Sequence, residues 1–568
     1  MTINWLFNCD DPTVILSKAN AIIKKNIANR KKALFSANIN ELVNVLSCDE
    51  HIFNTFFQLA CLMQYVSSDK NMRKTWHSVD TMFKNHIIKT NTDHKLYKKI
   101  NSMMKHNKNQ ISDADLLYLT SISETLIKNG AKYANDKPIF ESMLIINDSI
   151  KKCTNTFSST DLLKLATLRN DFALFNNFRC YFDFVSNIDI DEFKTLLKSI
   201  NTLPILQTKD IDFELIHAKK YPLYKAMNTI FDILHDFFNI NFVPITSSDL
   251  WHPSVKTFNI VYNNNACCIL YIDLAQRSGT HAKPIEPVSL VLQESHNDNL
   301  PICVLFGTPS DTISYRDIIH LFMQFADIIH VSFNRTKYGL NINIENDMKT
   351  FMDNLFEHII SNYSIMKNYF PDKNIFIQLN NLNTFNLKNL CASILFDYYI
   401  HSSQLAKLKN KTLFINKYQS IYNTVFNTNT IFDSIPNNVV SLCAYNGGTA
   451  YTIIMNNVIA FNILKIFINK PSSICEFIDD VLVSNTYPFR QCIEKFAEHI
   501  NKYEHSSDEY SLSPLNNSSD KPSDKPLISI SSEISSSDET NSYSSASYNK
   551  ESLTDTSSKS QTNYFTEN

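Results

Sequence analysis

The chain has 568 residues, 44% of them hydrophobic, which is enough apolar surface to bury a large core and excludes a wholly disordered protein. Its formal net charge is −3, and Lys, Arg, Asp and Glu are spread along it, so the basic face that grips nucleic acid is not expected. Twelve cysteines stand at irregular spacing without a C-x-x-C pair, which reads as buried free thiols in a reducing compartment.

Met1 to Pro12 carries Asn8, Asp10 and Asp11 where a secretory signal needs an unbroken apolar stretch, so an intracellular, soluble protein is expected. From Pro12 to about Ile240 apolar residues recur at three- and four-residue steps, as in Leu116–Ile127 and Asp161–Phe178, predicting successive amphipathic helices. A β-rich region follows. Thr257–Tyr262 and Ala266–Asp273 flank the turn residues Asn263, Asn264 and Asn265, and Val288–Gln293 and Ile302–Phe306 are two further strands. A strand over the second run sends Cys267 and Cys268 to opposite faces. Helical periodicity returns at Tyr315 and lasts to about Tyr503. Within it, the most apolar stretch, Thr452–Ile468, is interrupted by Asn456, Asn457 and Asn462 and is short for a bilayer span. It reads as a buried helix, with no membrane partner.

Beyond His505 the composition turns to Ser, Asp, Glu, Thr and Lys, with a tandem repeat at Ser519–Pro526, and this tail is expected to be disordered. Ser506 with Glu509, and Ser536 with Glu539, have the spacing of acidophilic kinase sites. Six glycines in the whole chain, beside abundant Asn, Lys and Ile, are the usage of an AT-rich genome such as a viral or parasitic one.

The most specific stretch begins LWHPSVKTFNIVYNNNACCILYIDLAQRSGTHAKP at Leu250 and continues in ISYRDIIHLFMQFADIIHVSF, Ile313–Phe333. It resembles the thimet oligopeptidase, neurolysin and oligopeptidase A family of zinc metallopeptidases. Trp251, His252, Pro253, Val255, Asp273, Leu274, Arg277 and Gly279 fall in that family's order and spacing. Leu168-Arg169 with Ala173 and Phe178 resembles an upstream helix of the family, and Asp212-Phe213-Glu214 its Trp-Asp segment. Ile230–Phe242 resembles the helix and turn before Trp-His-Pro, with Asn239 where glycine is usual. Leu395-Phe396-Asp397 with His401 resembles the Leu-Phe-Asp-x-x-x-His helix, and Gly447–Asn462 the late tyrosine-rich loop and helix. The likeness covers about Asp161 to Ile468.

The resemblance implies a mainly α fold, a two-lobed helical clam-shell with a deep channel and a small β-sheet in the catalytic lobe. The expected organisation is 1–150 as an N-terminal helical lobe, 151–245 completing that lobe, 246–504 as the metallopeptidase-like lobe, and 505–568 as the tail. Relatives place two histidines four residues apart on one helix face to hold zinc, with a glutamate after the first as the proton acceptor. Here those positions are Met323, Asp327 and Gln324 respectively. A thioether suits copper(I) rather than zinc, and an amide accepts no proton near neutral pH. The glutamate ligand of the next helix falls on Thr350, and the oxyanion-stabilising His and two Tyr fall on Ser441, Asn446 and Ile453.

No catalytic residue, metal or cofactor is therefore expected. Arg277 and Gly279 read as an architectural turn, Asp397 and His401 as a packing pair, and Met323 as filler for the space a metal leaves. Asp327, Arg277, Gly279, Gly447, Gly448 and Tyr451 are the candidates for contact with a ligand. Asp327 calls for a partner, such as Arg335, Lys337 or a bound cation. The reading that follows is a pseudopeptidase binding a peptide or protein partner. Two alternatives stand beside it: an active enzyme with relocated ligands among His320, Asp327, Glu357 and His358, or an assembly protein whose channel has become core; a metal held by His320, Asp327 and His330 on one helix is the less favoured reading of those histidines.

Overall fold

A computed structural model describes residues 11–47, 50–67, 69–90, 93–107, 111–128, 158–175, 177–186, 204, 211–246, 250–275, 285–291, 300–333, 348, 350–402, 411–483 and 489–507. The tail beyond residue 507, and with it the expectation of disorder, lies outside them, as do Arg277, Gly279, Arg335 and Lys337.

Helices α1 (Pro12–Ala33), α2 (Ile39–Ser47), α3 (Glu50–Val66), α4 (Lys70–Thr90), α5 (His94–His106) and α6 (Asp113–Lys128) come first. The start of α1 is capped by Asp11, whose carboxylate accepts from the Thr13 amide, with Pro12 in the first turn where its missing N–H costs nothing. Helices α7 (Ser159–Phe175), α8 (Tyr181–Val185) and α9 (Phe213–Ala218) lead to strand β1 (Lys220–Pro222), α10 (Leu223–Phe238) and β2 (Ile240–Pro244). Among the described residues the helical reading of Pro12 to about Ile240 holds apart from β1, and β2 begins where it ends. Both strands are too short to show a period of two beside a long helical pattern. Asn239 ends α10 in the left-handed region at φ 56°, a conformation that asparagine tolerates better than other side chains, so it replaces the usual glycine without losing the helix stop.

The sheet adds β3 (Lys256–Tyr262), β4 (Asn265–Asp273), β5 (Glu286–Val291) and β6 (Ile302–Phe306) to β2, in the order β2-β3-β4-β6-β5. β4 and β6 run parallel, and the other neighbours are antiparallel. Asn263 and Asn264, at φ 48° and 64°, make the β3–β4 hairpin turn, as the asparagine run implied. Alternation along β6 sorts the two faces. Cys303 and Leu305 enter the core beneath α10, whereas Val304 and Phe306 meet Phe56 and Trp76 of the N-terminal helices. Because both faces are covered, Cys267 and Cys268 are both buried.

A second ribbon pairs β1 with β7 (Thr312–Ser314), immediately before α11 (Tyr315–Phe333). It sets the starts of α10 and α11 side by side, and the Leu223 amide donates to the Asp311 carbonyl across the join at 2.8 Å. The remaining helices are α12 (Phe351–Ser361), α13 (Tyr363–Met366), α14 (Lys373–His401), α15 (Lys411–Phe426), α16 (Asn437–Tyr445), α17 (Tyr451–Asn469) and α18 (Ser473–Phe477), then a π-helical turn over Ile478–Val483 and α19 (Phe489–Ser507). By length and composition α17 could cross a bilayer. In the fold it lies against α12, with Ile454, Ala460, Ile463 and Leu464 buried.

The cores cross the segment boundaries drawn from sequence. Within 151–245, α7 buries Leu162 and Leu165 against Phe396, Ile400 and Phe414 of α14 and α15, while α10 joins the sheet core. One motif residue ties the sheet to the chain entering it: the Trp251 indole donates to Asp273 Oδ2 at 2.7 Å, and the Asp273 carbonyl accepts from the Gly307 amide. Trp251→Phe deprives a buried carboxylate of that donor and is expected to lower unfolding free energy by about 1–2 kcal/mol, read from urea denaturation.

Candidate functional site

Helix α11 opens with a reciprocal cap. Ser314 Oγ and its amide both donate to Asp317 Oδ2, at 2.7 and 2.8 Å, and the Asp317 amide donates back to Ser314 Oγ. Most of the helix is buried, and Phe322 packs on Phe356 with ring centres 4.9 Å apart. The faces left open carry Asp317, His320, Gln324 and Asp327. Steps of three, four and three residues place these four on one stripe, and Met323 is half-buried beside it against the core. The Gln324 amide donates to the His320 carbonyl on its own helix at 3.4 Å.

Helix α12 packs against α11 and contributes half-buried Asp353 and Glu357, one turn apart. Burial pushes the Asp353 carboxyl up to about 7, and the nearby Asp327 and Glu357 charges push the same way. Burial likewise raises Asp327, and raises Glu357 against the opposing pull of Arg316. Asp327 is exposed at its surface, and the protein around it disfavours its charged form. Among the described residues the charge it acts on is another carboxylate, Asp353; Arg335 and Lys337 lie outside them.

On its other side α12 is tied to α17 by neutral groups. Asn456 Nδ2 donates to Thr350 Oγ1 at 2.9 Å, Asn354 Nδ2 to the Thr350 carbonyl at 2.7 Å, and Asn457 Nδ2 to Asn354 Oδ1 at 3.4 Å. His358 Nε2 lies 3.1 Å from the Asn457 carbonyl, and burial lowers its pKa. Thr350 thus faces α17. His330 is buried 4.7 Å from the Phe489 ring centre, with its pKa lowered to about 4 by burial, so the imidazole is neutral. His320 is exposed at the other end of the stripe.

Gly447, Gly448 and Tyr451 are buried, and what they meet is the protein itself. Arg169 donates to the Cys443 and Ala444 carbonyls at 2.9 and 2.6 Å, and its Nη1 is 3.2 Å from His401 Nε2. Because a guanidinium can only donate, Nε2 accepts and the His401 proton sits on Nδ1, 2.9 Å from Asp397 Oδ1 and 3.0 Å from the Asp397 carbonyl. Asp397 Oδ2 accepts from the Gly448 amide at 2.9 Å. A Cβ on Gly447 would lie 2.0 Å from Arg169 Nη1, and Gly448 is at φ 73° against Val185. Tyr451 packs on Phe182. Their contacts within the protein brace the fold. Of the remaining positions from the late loop, Asn446 caps the end of α16, while Ser441 and Ile453 are half-buried.

A zinc ion of the kind implied by the resemblance takes three or four histidine, cysteine or carboxylate donors in a tetrahedral set. Met323, Gln324 and Thr350 offer a thioether, an amide and a hydroxyl engaged by Asn456. Among the described residues no three His, Cys, Asp or Glu side chains gather closely enough to share a metal. The residues present do not fit the ion. Asp353 was missed in the sequence because its significance is its distance from Asp327, and no spacing within one helix encodes that.

Residues 207–497, more than half of the chain, match the family model for peptidase family M3. A segment of 162 residues is 20% identical to a probable thimet oligopeptidase of Arabidopsis thaliana, covering 26% of this chain and 23% of that protein. The match therefore spans about a quarter of that relative's length. The fold is similar to that of the Pyrococcus furiosus carboxypeptidase in its apo-Mg structure, with TM-score 0.50 and 8% identity over 86% of this chain and 98% of that one. It is equally similar to the M32 carboxypeptidase of Deinococcus radiodurans R1, with TM-score 0.50 and 10% identity over 80% and 95%. At such identities the likeness is one of fold, a mainly α architecture around a small mixed sheet. With the family model matched over the sheet, α11, α12 and the late helices, this chain belongs to peptidase family M3.

Proposed function

We propose that this chain is a non-hydrolytic member of the family, which binds a peptide or protein partner along the open stripe of α11 inside the cell. The observation that carries the reading is the chemistry of that stripe. Gln324 stands where a proton acceptor is needed, its amide turned to the His320 carbonyl, and the charge of Asp327 acts on another carboxylate, Asp353. Water attack on a peptide needs both an electrophilic centre to lower the water's pKa and a base to take its proton. The described cysteines are free, in keeping with a reducing compartment. The segment assignments 1–150, 151–245, 246–504 and 505–568 remain part of this proposal.

The test supplies the purified full chain with zinc and a panel of short quenched fluorescent peptides. No turnover above buffer is expected, and none that a chelator removes. Chelator-sensitive cleavage restored by added zinc would sink the reading.

A further inference from the structure

We propose that the corner where α1 ends against α5 docks a segment of this chain's own tail, residues 527–539, through a group of lysines and one exposed aromatic ring. The N-terminal helices differ in charge from the chain as a whole. Residues 12–128 carry seventeen Lys and Arg against nine Asp and Glu, in a chain whose net charge is −3. Part of that excess gathers at one place. Lys31 and Lys32 are exposed in the last turn of α1, and Phe35, in the turn that follows, is 85% exposed. Lys99 of α5 donates to the Ser36 carbonyl at 2.7 Å, which fixes α5 beside Phe35. Lys95 and Lys98 are exposed on the same helix, within one turn of Lys99.

Two cations at this corner serve the fold: Lys99 on the Ser36 carbonyl, and Arg30, which donates to the Thr90 carbonyl at the end of α4 at 3.3 Å. The other four have no such task, and among the described residues Lys31, Lys32, Lys95 and Lys98 enter no ion pair. The local acids are engaged at helix starts. Glu41 accepts from the Ala37 amide, and Asp93 from the Lys95 and Leu96 amides. A single exposed phenylalanine is ordinary, but one placed among outward lysines fits a segment that carries acids and apolar side chains together.

The chain itself contains such a segment. Residues 526–549 include no Lys or Arg, and within them Leu527, Ile528, Ile530 and Ile534 stand beside Glu533, Asp538 and Glu539. Thirty-two residues lead from Ser507, the end of α19, to Glu539, a reach of up to about 110 Å. That exceeds the ~60 Å diameter of a globule of this size. A tethered segment meets its own molecule at an effective concentration of about millimolar, so charge complementarity and one ring suffice where a separate partner would need a larger contact.

The test treats the purified full chain with a carbodiimide, which joins amines directly to carboxylates, and maps the products by mass spectrometry. Glu533, Asp538 or Glu539 is expected to be joined, within single molecules, to Lys31, Lys32, Lys95 or Lys98, and the yield should fall several-fold in about 0.5 M salt. In the double variant Lys31→Glu, Lys32→Glu the links to Lys95 and Lys98, whose amines remain, should fall about tenfold. Phe35→Ser leaves every lysine in place and should lower all these links about threefold. All three side chains are exposed, so melting midpoints within about 2 °C of the parent are expected, and links lost at an unchanged midpoint report docking rather than unfolding. Tail links scattered over lysines elsewhere, or unchanged yields at Lys95 and Lys98 in the variants, overturn the proposal. Links found only in covalent dimers also overturn it, by giving the corner to the tail of a second copy. Phosphatidylserine vesicles that bind the chain through Lys31 and Lys32, with no tail link at the corner, would assign the face to a lipid surface and end the proposal.

Discussion

Gly447→Ala is expected to lower unfolding free energy by about 3 kcal/mol or more, a large share of the 5–15 kcal/mol typical of a folded protein. The methyl would fall 2.0 Å from Arg169 Nη1 and 2.8 Å from His401 Cε1. The tip of an arginine is ordinarily free to move aside. This one is held by the Cys443 and Ala444 carbonyls and by His401, so moving it leaves a half-buried cation and three acceptors short of partners. His401 and Asp397 are almost fully enclosed, and no water can make up the loss. Urea denaturation should show the midpoint falling sharply, and a midpoint within experimental error of the parent would refute the account. The double variant with Arg169→Ala tests the cause. If the clash with the guanidinium is the origin, Gly447→Ala should cost little more once Arg169 is gone, a strongly non-additive pair.

The second large effect concerns Asp353 and depends on pH. Its carboxyl is raised to about 7 by burial and by Asp327 and Glu357, against an unfolded value near ~3.9. A group raised in the folded state favours folding when protonated. Its contribution is fully present below about pH 4 and is lost as pH rises through about 7. Such a shift corresponds to about 4 kcal/mol at face value, and partial solvent access reduces the expectation to about 2 kcal/mol. Asp353→Asn keeps the shape and removes the titration. It should therefore raise stability by about 2 kcal/mol at pH 8 and change little at pH 4. Thermal melts across that range give the answer, and a variant less stable than the parent at pH 8 would mean that a cation already neutralises the cluster.

Much of the architecture was legible because it rests on local pattern. Residues Thr257–Phe306 alternate and turn on asparagines, so β3, β4 and β6 fall where the sequence places them. Helix α11 carries a full apolar surface behind a four-residue polar stripe, which periodicity alone can find. The β1–β7 ribbon was not legible, because three residues pair with three others about ninety positions away, and nothing local marks either. Gly447, Gly448 and Tyr451 looked like loop residues open to a ligand. They are buried: Arg169, from a helix more than two hundred and seventy residues earlier, fills the space beside Gly447, while Val185 covers Gly448 and Phe182 packs on Tyr451.

By itself, the order of residue types determined which donors stand on the helix face of α11: a thioether, an amide and one carboxylate, a chemistry that no folding alters. What surrounds that carboxylate was decided by tertiary structure alone. Hydration and repulsion fall off over a few ångströms, and only the packing of α12 against α11 brings Asp353 near enough to feel its charge.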